Sequence, residues 1–292
     1  MAAPLAPQAF AAGTRLFETA GRNINWFPGH MHSATKAITE RIKMVDMVIE
    51  VRDARIPLAS ACGHLEALIQ NKKRVIVLNK SDLINPSEQA RWAAHLKGQG
   101  NDVVFTGALT GSRLGDLLPK ALYKRGVIKR LDRTLLMMIT GIPNTGKSTL
   151  INQLRRVGAA RGEAARPNVA ITGARPGVTR HVATIQFCQE PPSFLIDTPG
   201  VMTPKLTHNQ GLKLAVTGAI KHTLVDPVVL CDYLLYLFNL RDQVKYVKGL
   251  SLPGRTDDIH EVLEAVCKKN NFKATLVKDN MQAAGDVGGE AA

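Results

Sequence analysis

The sequence predicts a three-layer α/β domain on a largely parallel sheet, followed by a smaller all-α domain. Three observations predict it. Short apolar runs alternate with helix-period stretches as far as residue 196, the pattern of strands covered by crossover helices. One run, Leu135–Thr140, passes through a glycine-bearing loop straight into helix-period sequence. After Pro204 the strand pattern stops and only helical periodicity remains.

Taken in order, Lys43–Val51 is a β-branched apolar run ending at Arg52-Asp53 and predicts a buried strand. Cys62–Lys72 has helical spacing. Arg74–Leu78 is short and, after Arg74, fully apolar, as strands of parallel sheets are, and runs into Asn79-Lys80-Ser81-Asp82. Pro86–Gln99 predicts a helix, Asp102–Thr106 a strand and Leu114–Tyr123 a helix. The basic stretch Lys120–Arg133 reads as a connector. Leu135–Thr140 is a strand and Ser148–Arg156 a helix. Ala159–Pro176 is rich in Gly, Arg and Pro and reads as a loop. Val182–Phe187 and Phe194–Ile196 are strands. Gln210–Lys221, Pro227–Asn239 and Asp258–Lys269 are helices.

The organisation expected is a targeting segment at 1–25, an α/β domain at 26–205, a helical domain at 206–280 and a disordered tail at 281–292. Met1–Gly13 is Ala- and Pro-rich and uncharged, and Arg15 and Arg22 follow it, a weak mitochondrial presequence pattern. The Gly/Ala-rich end carries little that could pack.

The chain has 292 residues, 45% of them hydrophobic, enough for a packed core. No apolar run reaches the ~18 residues that would span a bilayer. Lysine and arginine outnumber the acids 38 to 24, a net charge of +14. That excess suits a polyanionic partner, either nucleic acid or an anionic membrane surface. The four cysteines lie far apart without ligand spacing, which argues against a zinc site or disulfide framework and fits a reducing compartment.

Gly141-Ile142-Pro143-Asn144-Thr145-Gly146-Lys147-Ser148 fits G-x-x-x-x-G-K-[ST] in full, between a strand and a helix. In such a loop backbone N–H groups, including those around Thr145, Gly146 and Thr149, turn toward phosphate oxygens at a helix N-terminus. Lys147 reaches the β- and γ-phosphates, and Ser148 ligates Mg²⁺. Phe194-Leu195-Ile196 leads into Asp197-Thr198-Pro199-Gly200. Asp197 at a neighbouring strand end can hold Mg²⁺ through water, and the Gly200 N–H can meet the γ-phosphate. Between these motifs, Thr179 of Arg175-Pro176-Gly177-Val178-Thr179 is a candidate to close over the metal, with Thr172 and Thr184 as competitors.

Asn79-Lys80-Ser81-Asp82 fits [NT]-K-x-D. Asp82 can accept hydrogen bonds from the N1–H and exocyclic amine of guanine. Adenine lacks both, so a carboxylate built for guanine would be left unpaired against it. Lys80 can lie along the base and Asn79 can brace neighbouring loops. Thr106-Gly107-Ala108-Leu109 ends the next strand and can offer an N–H to the guanine O6. A later sequence, Asn239-Leu240-Arg241-Asp242, lacks the lysine and ends a helix. The base-reading motif therefore precedes the phosphate loop. The fold expected is a three-layer P-loop GTPase domain with circularly permuted motif order, which costs little where old termini lie close.

The permuted order, together with Trp26-Phe27-Pro28-Gly29-His30-Met31 and Asp53-Ala54-Arg55-Ile56-Pro57, resembles the YlqF-type ribosome-biogenesis GTPases over roughly residues 24–240. The resemblance implies an enzyme that converts GTP to GDP and phosphate. It also implies binding to the large ribosomal subunit and its rRNA late in assembly, and departure after hydrolysis. Its mitochondrial branch implies the matrix, with peripheral association at the inner membrane and support of mitochondrial translation. Many GTPases place a water-orienting glutamine after the second motif, where this chain has Val201. His30 is the family's candidate for that task, against the plain alternative that it packs a loop. Asn144 resembles the asparagine with which related GTPases bind K⁺, an ion able to stabilise developing charge. The family carries a longer ordered helical end than Ala283-Ala284-Gly285-Asp286, which predicts a shortened or variant form. Two other readings stay open: a signalling or membrane switch, for which no prenylation box or myristoylation signal is present, and a P-loop ATPase or nucleotide kinase in which N-K-S-D is only a turn.

Overall fold

A computed structural model describes residues 15–19, 38–69, 72–160, 184–198, 200, 206–220 and 224–272. It divides into two compact units, Gly21–Asp226 and Met1–Ala20 with Pro227–Ala292. The expected boundary near residue 205 thus moves to 226/227, and part of the expected targeting segment falls within the second unit.

The first unit holds a six-stranded sheet in the order β3-β2-β1-β4-β6-β5. Its strands are β1 (Met47–Asp53), β2 (Lys73–Asn79), β3 (Asp102–Thr106), β4 (Leu135–Thr140), β5 (Thr184–Cys188) and β6 (Ser193–Asp197). All neighbouring pairs are parallel except β5 with β6. β2 buries both faces, and its residues alternate between two cores. Val75 and Val77 join one with Ile49, Leu117, Leu150 and Leu154. Ile76 and Leu78 join the other with Leu96, Val103 and Phe105. Helices on both faces make the third layer: α2 (Gly63–Ile69), α3 (Pro86–Gly98), α4 (Pro119–Lys124), α5 (Lys147–Ala160) and, after β6, α6 (His208–Val216).

Several elements depart from expectation, among them the helix expected at Gln210–Lys221, which spans His208–Val216. β1 begins at Met47, not Lys43, because residues 38–42 are helical and turn at Lys43-Met44. The expected helix Leu114–Tyr123 is a 3₁₀ turn, Leu114–Leu117, and then α4. Pro119 pushes Leu118 to ψ 150 and breaks the run.

Parallel strands ending together present their carboxyl-end loops on one edge, where α/β sheets bind ligands. Asp53 pairs with Asn79 and Asn79 with Thr106. Ile139 pairs with Asp197.

The second unit contains α7 (Pro227–Leu240), α8 (Lys245–Gly249) and α9 (Ile259–Asn270) together with α1 (Leu16–Thr19). α8 was not expected; five residues are too few to show a period. Phe17 is buried with its ring 5.2 Å from Tyr233, edge-on, and 5.2 Å from Tyr236. Its N–H donates to Asp232 Oδ2 at 3.2 Å. The Arg15 guanidinium lies 4.7 Å above the Tyr236 ring and 2.9 Å from Asp257 Oδ1. Phe17→Ala is expected to cost this unit about 3 kcal/mol, by analogy with other buried phenylalanines. Thermal unfolding followed through the tyrosines checks it, and an unchanged melting curve would remove α1 from the core.

Candidate functional site

The base-reading loop leaves β2 at Asn79, and its side chain is wholly committed. Asn79 Nδ2 donates to Thr145 O at 2.8 Å, while Oδ1 accepts from Ala108 N at 2.9 Å and Thr106 Oγ1 at 3.2 Å. One buried amide thus ties the phosphate loop to the loop after β3. The Ala108 N–H, a candidate donor to a guanine O6, is engaged by Asn79 in this arrangement. Lys80 follows in the left-handed region at φ 61, and Ser81–Leu83 form a 3₁₀ turn. Ser81 is buried and its carbonyl accepts from Gln89 Nε2 at 2.9 Å. Asp82 is exposed on the pocket wall. A Cβ on Gly107 would come within 2.8 Å of Asp82 Oδ1, which puts the loop after β3 directly against this side of the pocket.

The phosphate loop leaves β4 at Thr140. Gly146 holds φ +94, and a Cβ there would strike Asn79 Nδ2. Thr145 is buried and turned inward, its Oγ1 donating to Ile142 O at 3.0 Å. Lys147 Nζ donates to Gly141 O at 3.1 Å and Ile142 O at 2.8 Å. Asp82, Asn79 and Lys80 on one side, and Gly146, Lys147 and Ser148 on the other, line a single pocket of about 500 Å³. Asn144 and Thr149 complete its phosphate side. Ser81 and Thr145 do not line it; they hold the two loops in shape.

Asp197 ends β6 in the strand next to β4. It is exposed, yet the protein behind it holds its carboxyl above the usual range while the Lys147 ammonium pulls the other way. Thr198 Oγ1 donates to Ile139 O at 2.8 Å, fastening the turn to β4. A Cβ on Gly200 would approach Pro143 N to 2.8 Å, which puts this turn directly against the phosphate loop. His30, Thr179 and Val201 lie outside the described residues. Asn239 of the alternative N-L-R-D sequence sits in α7, accepting from Tyr246 and donating to Thr256 O and Asp257. That residue packs a helical unit.

Burial pushes the Lys147 ammonium down to about 8, with the Asp197 carboxylate opposing. A lysine depressed in the native state binds fewer protons than in the unfolded chain between about 8 and its ordinary value, so the empty protein gains stability as pH rises through that window. Phosphate charge favours the protonated form. Nucleotide affinity is therefore expected to fall as pH rises past about 8, with proton uptake on binding growing from about pH 7 to about pH 9. Calorimetry in two buffers of different ionisation enthalpy reads that uptake; none at the upper pH would remove Lys147 from phosphate binding.

A further group escaped sequence reasoning. Asp53 is fully buried at the end of β1, 2.9 Å from Lys80 Nζ and 2.7 Å from the Arg55 guanidinium. Burial alone would raise its carboxyl, but the hydrogen bonds from Arg55 and Lys80 prevail and hold it below the usual range. The signal was the Asp-x-Arg spacing, whose contacts the sequence leaves unspecified.

Fold and pocket define the class: a P-loop protein that binds guanine nucleotide, with its base-reading loop earlier in the chain than its phosphate loop. Residues 136–276 match the family model described as 50S ribosome-binding GTPase. The bovine (Bos taurus) protein named Mitochondrial ribosome-associated GTPase 1 is 37% identical over 278 residues, 91% of this chain and 82% of that one. Ribosome biogenesis GTPase A of Bacillus pumilus is 35% identical over 84% of this chain and 86% of its own. Short integuments 2, mitochondrial, of Arabidopsis thaliana is 40% identical over 78% of this chain, which spans 60% of that protein's length. In fold, the chain is similar to GNP-bound YlqF from T. maritima, with TM-score 0.52 and 22% identity over 82% of this chain and 94% of that one. The chain belongs to the YlqF-type family of ribosome-associated GTPases.

Proposed function

We propose that this chain hydrolyses GTP on the large ribosomal subunit of the mitochondrion, as an assembly factor that supports mitochondrial translation. The observation that carries the nucleotide reading is the single pocket with Asp82 on one wall and Lys147 on the other. The ribosomal reading draws on relatives named for ribosome association and ribosome biogenesis, and the mitochondrial one on two relatives named mitochondrial. The net charge of +14 suits rRNA. It also suits the anionic matrix face of the inner membrane, as a peripheral contact; among the described residues no helix is long and apolar enough to cross a bilayer.

In this reading Asp82 receives the guanine edge and the phosphate-loop amides and Lys147 receive the β- and γ-phosphates. Ser148 supplies a hydroxyl and Asp197 a carboxylate, hard oxygen donors of the kind Mg²⁺ takes alongside phosphate and water. Thr179 would supply a further hydroxyl to that metal. Val201 has no group to orient water, and His30 would supply one. Asn144 would offer its side-chain oxygen to K⁺, an ion able to stabilise developing charge. The expected result is co-sedimentation with isolated mitochondrial large subunits in the presence of a non-hydrolysable GTP analogue. It should weaken steeply with salt, because phosphate contacts release counterions. Turnover should rise on those subunits and be faster in K⁺ than in Na⁺. Binding that ignores both nucleotide and salt would overturn the ribosomal part.

A further inference from the structure

The base-reading loop is anchored on two sides. Lys80 Nζ lies 2.9 Å from Asn144 O in the phosphate loop and 2.9 Å from Asp53 Oδ2. Asp53 in turn receives the Arg55 backbone N–H at 3.0 Å, its Nε at 2.9 Å and its terminal nitrogen at 2.7 Å. That same nitrogen donates at 2.8 Å to Thr217 O, the C-cap of α6. One residue further, Gly218 O accepts from Asn144 Nδ2 at 3.0 Å. The contacts close into a ring: Asp53, Lys80, Asn144, the Thr217-Gly218 turn, Arg55 and Asp53 again.

Three of its members lie outside the pocket, and neither base reading nor phosphate binding by itself calls for them. Their placement gives them a different task. Lys80 bridges the two loops that flank the pocket. It does so at φ 61, a conformation costing a non-glycine residue about 1 kcal/mol, so the loop keeps it only while its anchors hold. Asp53 is one anchor, and Arg55 fixes Asp53. Arg55 and Asn144 both end on the turn closing α6, the first helix after Asp197–Gly200. Loosening that turn removes an acceptor from the base side and one from the phosphate side at once.

We propose that Asp53 and Arg55 are positioning residues for the bound nucleotide, and that through them the Thr217-Gly218 turn sets how fast the nucleotide leaves. The proposal rests on the guanine-nucleotide reading of the pocket. It makes the end of α6 the point from which release is controlled, some distance along the chain from either nucleotide-binding loop.

The test is the dissociation rate of fluorescently labelled GDP from the full chain, chased with unlabelled GDP. Arg55→Ala cuts the ring at Thr217 and leaves Asp53 to Lys80; it is expected to speed release about tenfold, the scale of one charge-assisted hydrogen bond. Arg55→Lys keeps the charge without the fork and should release nearly as fast as Arg55→Ala. Asp53→Asn should be faster than either, and the double variant no faster than Asp53→Asn alone, because Arg55 acts only through the ring. A merely structural role would lower the melting temperature and the binding-competent fraction while leaving the release rate of that fraction unchanged. Release within twofold of the parent in the folded Arg55 variants overturns the proposal, and should Asp53→Asn fail to fold, those two variants decide. A parent that fails to bind labelled GDP overturns the pocket reading instead.

Discussion

Lys147→Ala is expected to abolish nucleotide binding while changing the stability of the nucleotide-free protein little. The two results have different origins. Lys147 is 8% exposed and its ammonium is pushed down to about 8 by burial. Holding it charged at neutral pH therefore works against the fold, by roughly 3 kcal/mol on the ordinary scale of one pKa unit. Alanine relieves that opposition but leaves the Gly141 and Ile142 carbonyls without the Nζ donor, at about 1–3 kcal/mol each, so the two effects largely offset. The same change removes the only side-chain cation lining the phosphate half of the pocket among the described residues, and affinity for GDP and GTP should drop by at least ~100-fold, as expected for a desolvated charge pair. Melting curves with and without GDP read both at once: the ligand-induced shift disappears and the baseline moves little. A variant that still gains several degrees from GDP would place the phosphates elsewhere.

Asp82→Asn is expected to exchange one base preference for another. The Asp82 carboxylate is exposed on the pocket wall with Gly107 against it. A carboxylate only accepts, which matches the N1–H and amine of guanine. An asparagine offers one acceptor and one donor, which matches xanthine, whose amine is replaced by a carbonyl. Guanine affinity should fall ~100-fold or more, and xanthosine diphosphate should become the better competitor. Competition against labelled nucleotide measures the order of preference. Retained preference for guanine in this variant would mean that Asp82 is not the residue that reads the base.

Much of this site could be read before any coordinates, because its chemistry is local. The phosphate loop and N-K-S-D each occupy consecutive residues at a strand end. The register of β1, β2 and β3 then brings Asp53, Asn79 and Thr106 side by side. Strand interiors were legible for the same reason: Leu135–Ile139 and Val103–Phe105 are continuous apolar runs. What sequence could not supply is distant pairing. Nothing in Thr217 or Gly218 announces that their carbonyls meet Arg55 and Asn144. The boundary expected at 205 moved for this reason, since α6 has a helical pattern like the segments after it and its distant contacts, those two hydrogen bonds among them, fall within the sheet-bearing unit. Pro119 was visible, but the apolar period around it outweighed the constraint it places on Leu118.

The packing of Phe17 against Tyr233 bears on how the molecule is made. The Phe17 N–H and Asp232 are 215 residues apart in the chain. A polypeptide threaded amino-end first would present α1 to its surroundings long before α7 exists to receive it. Until then its aromatic ring has no resting place, and anything that holds nascent or translocating chains has an early handle there. Trimming by a protease carries a corresponding limit. A cut ahead of Arg15 leaves Arg15 and Phe17 in place, whereas one at residue 25 removes a piece of the helical unit's interior.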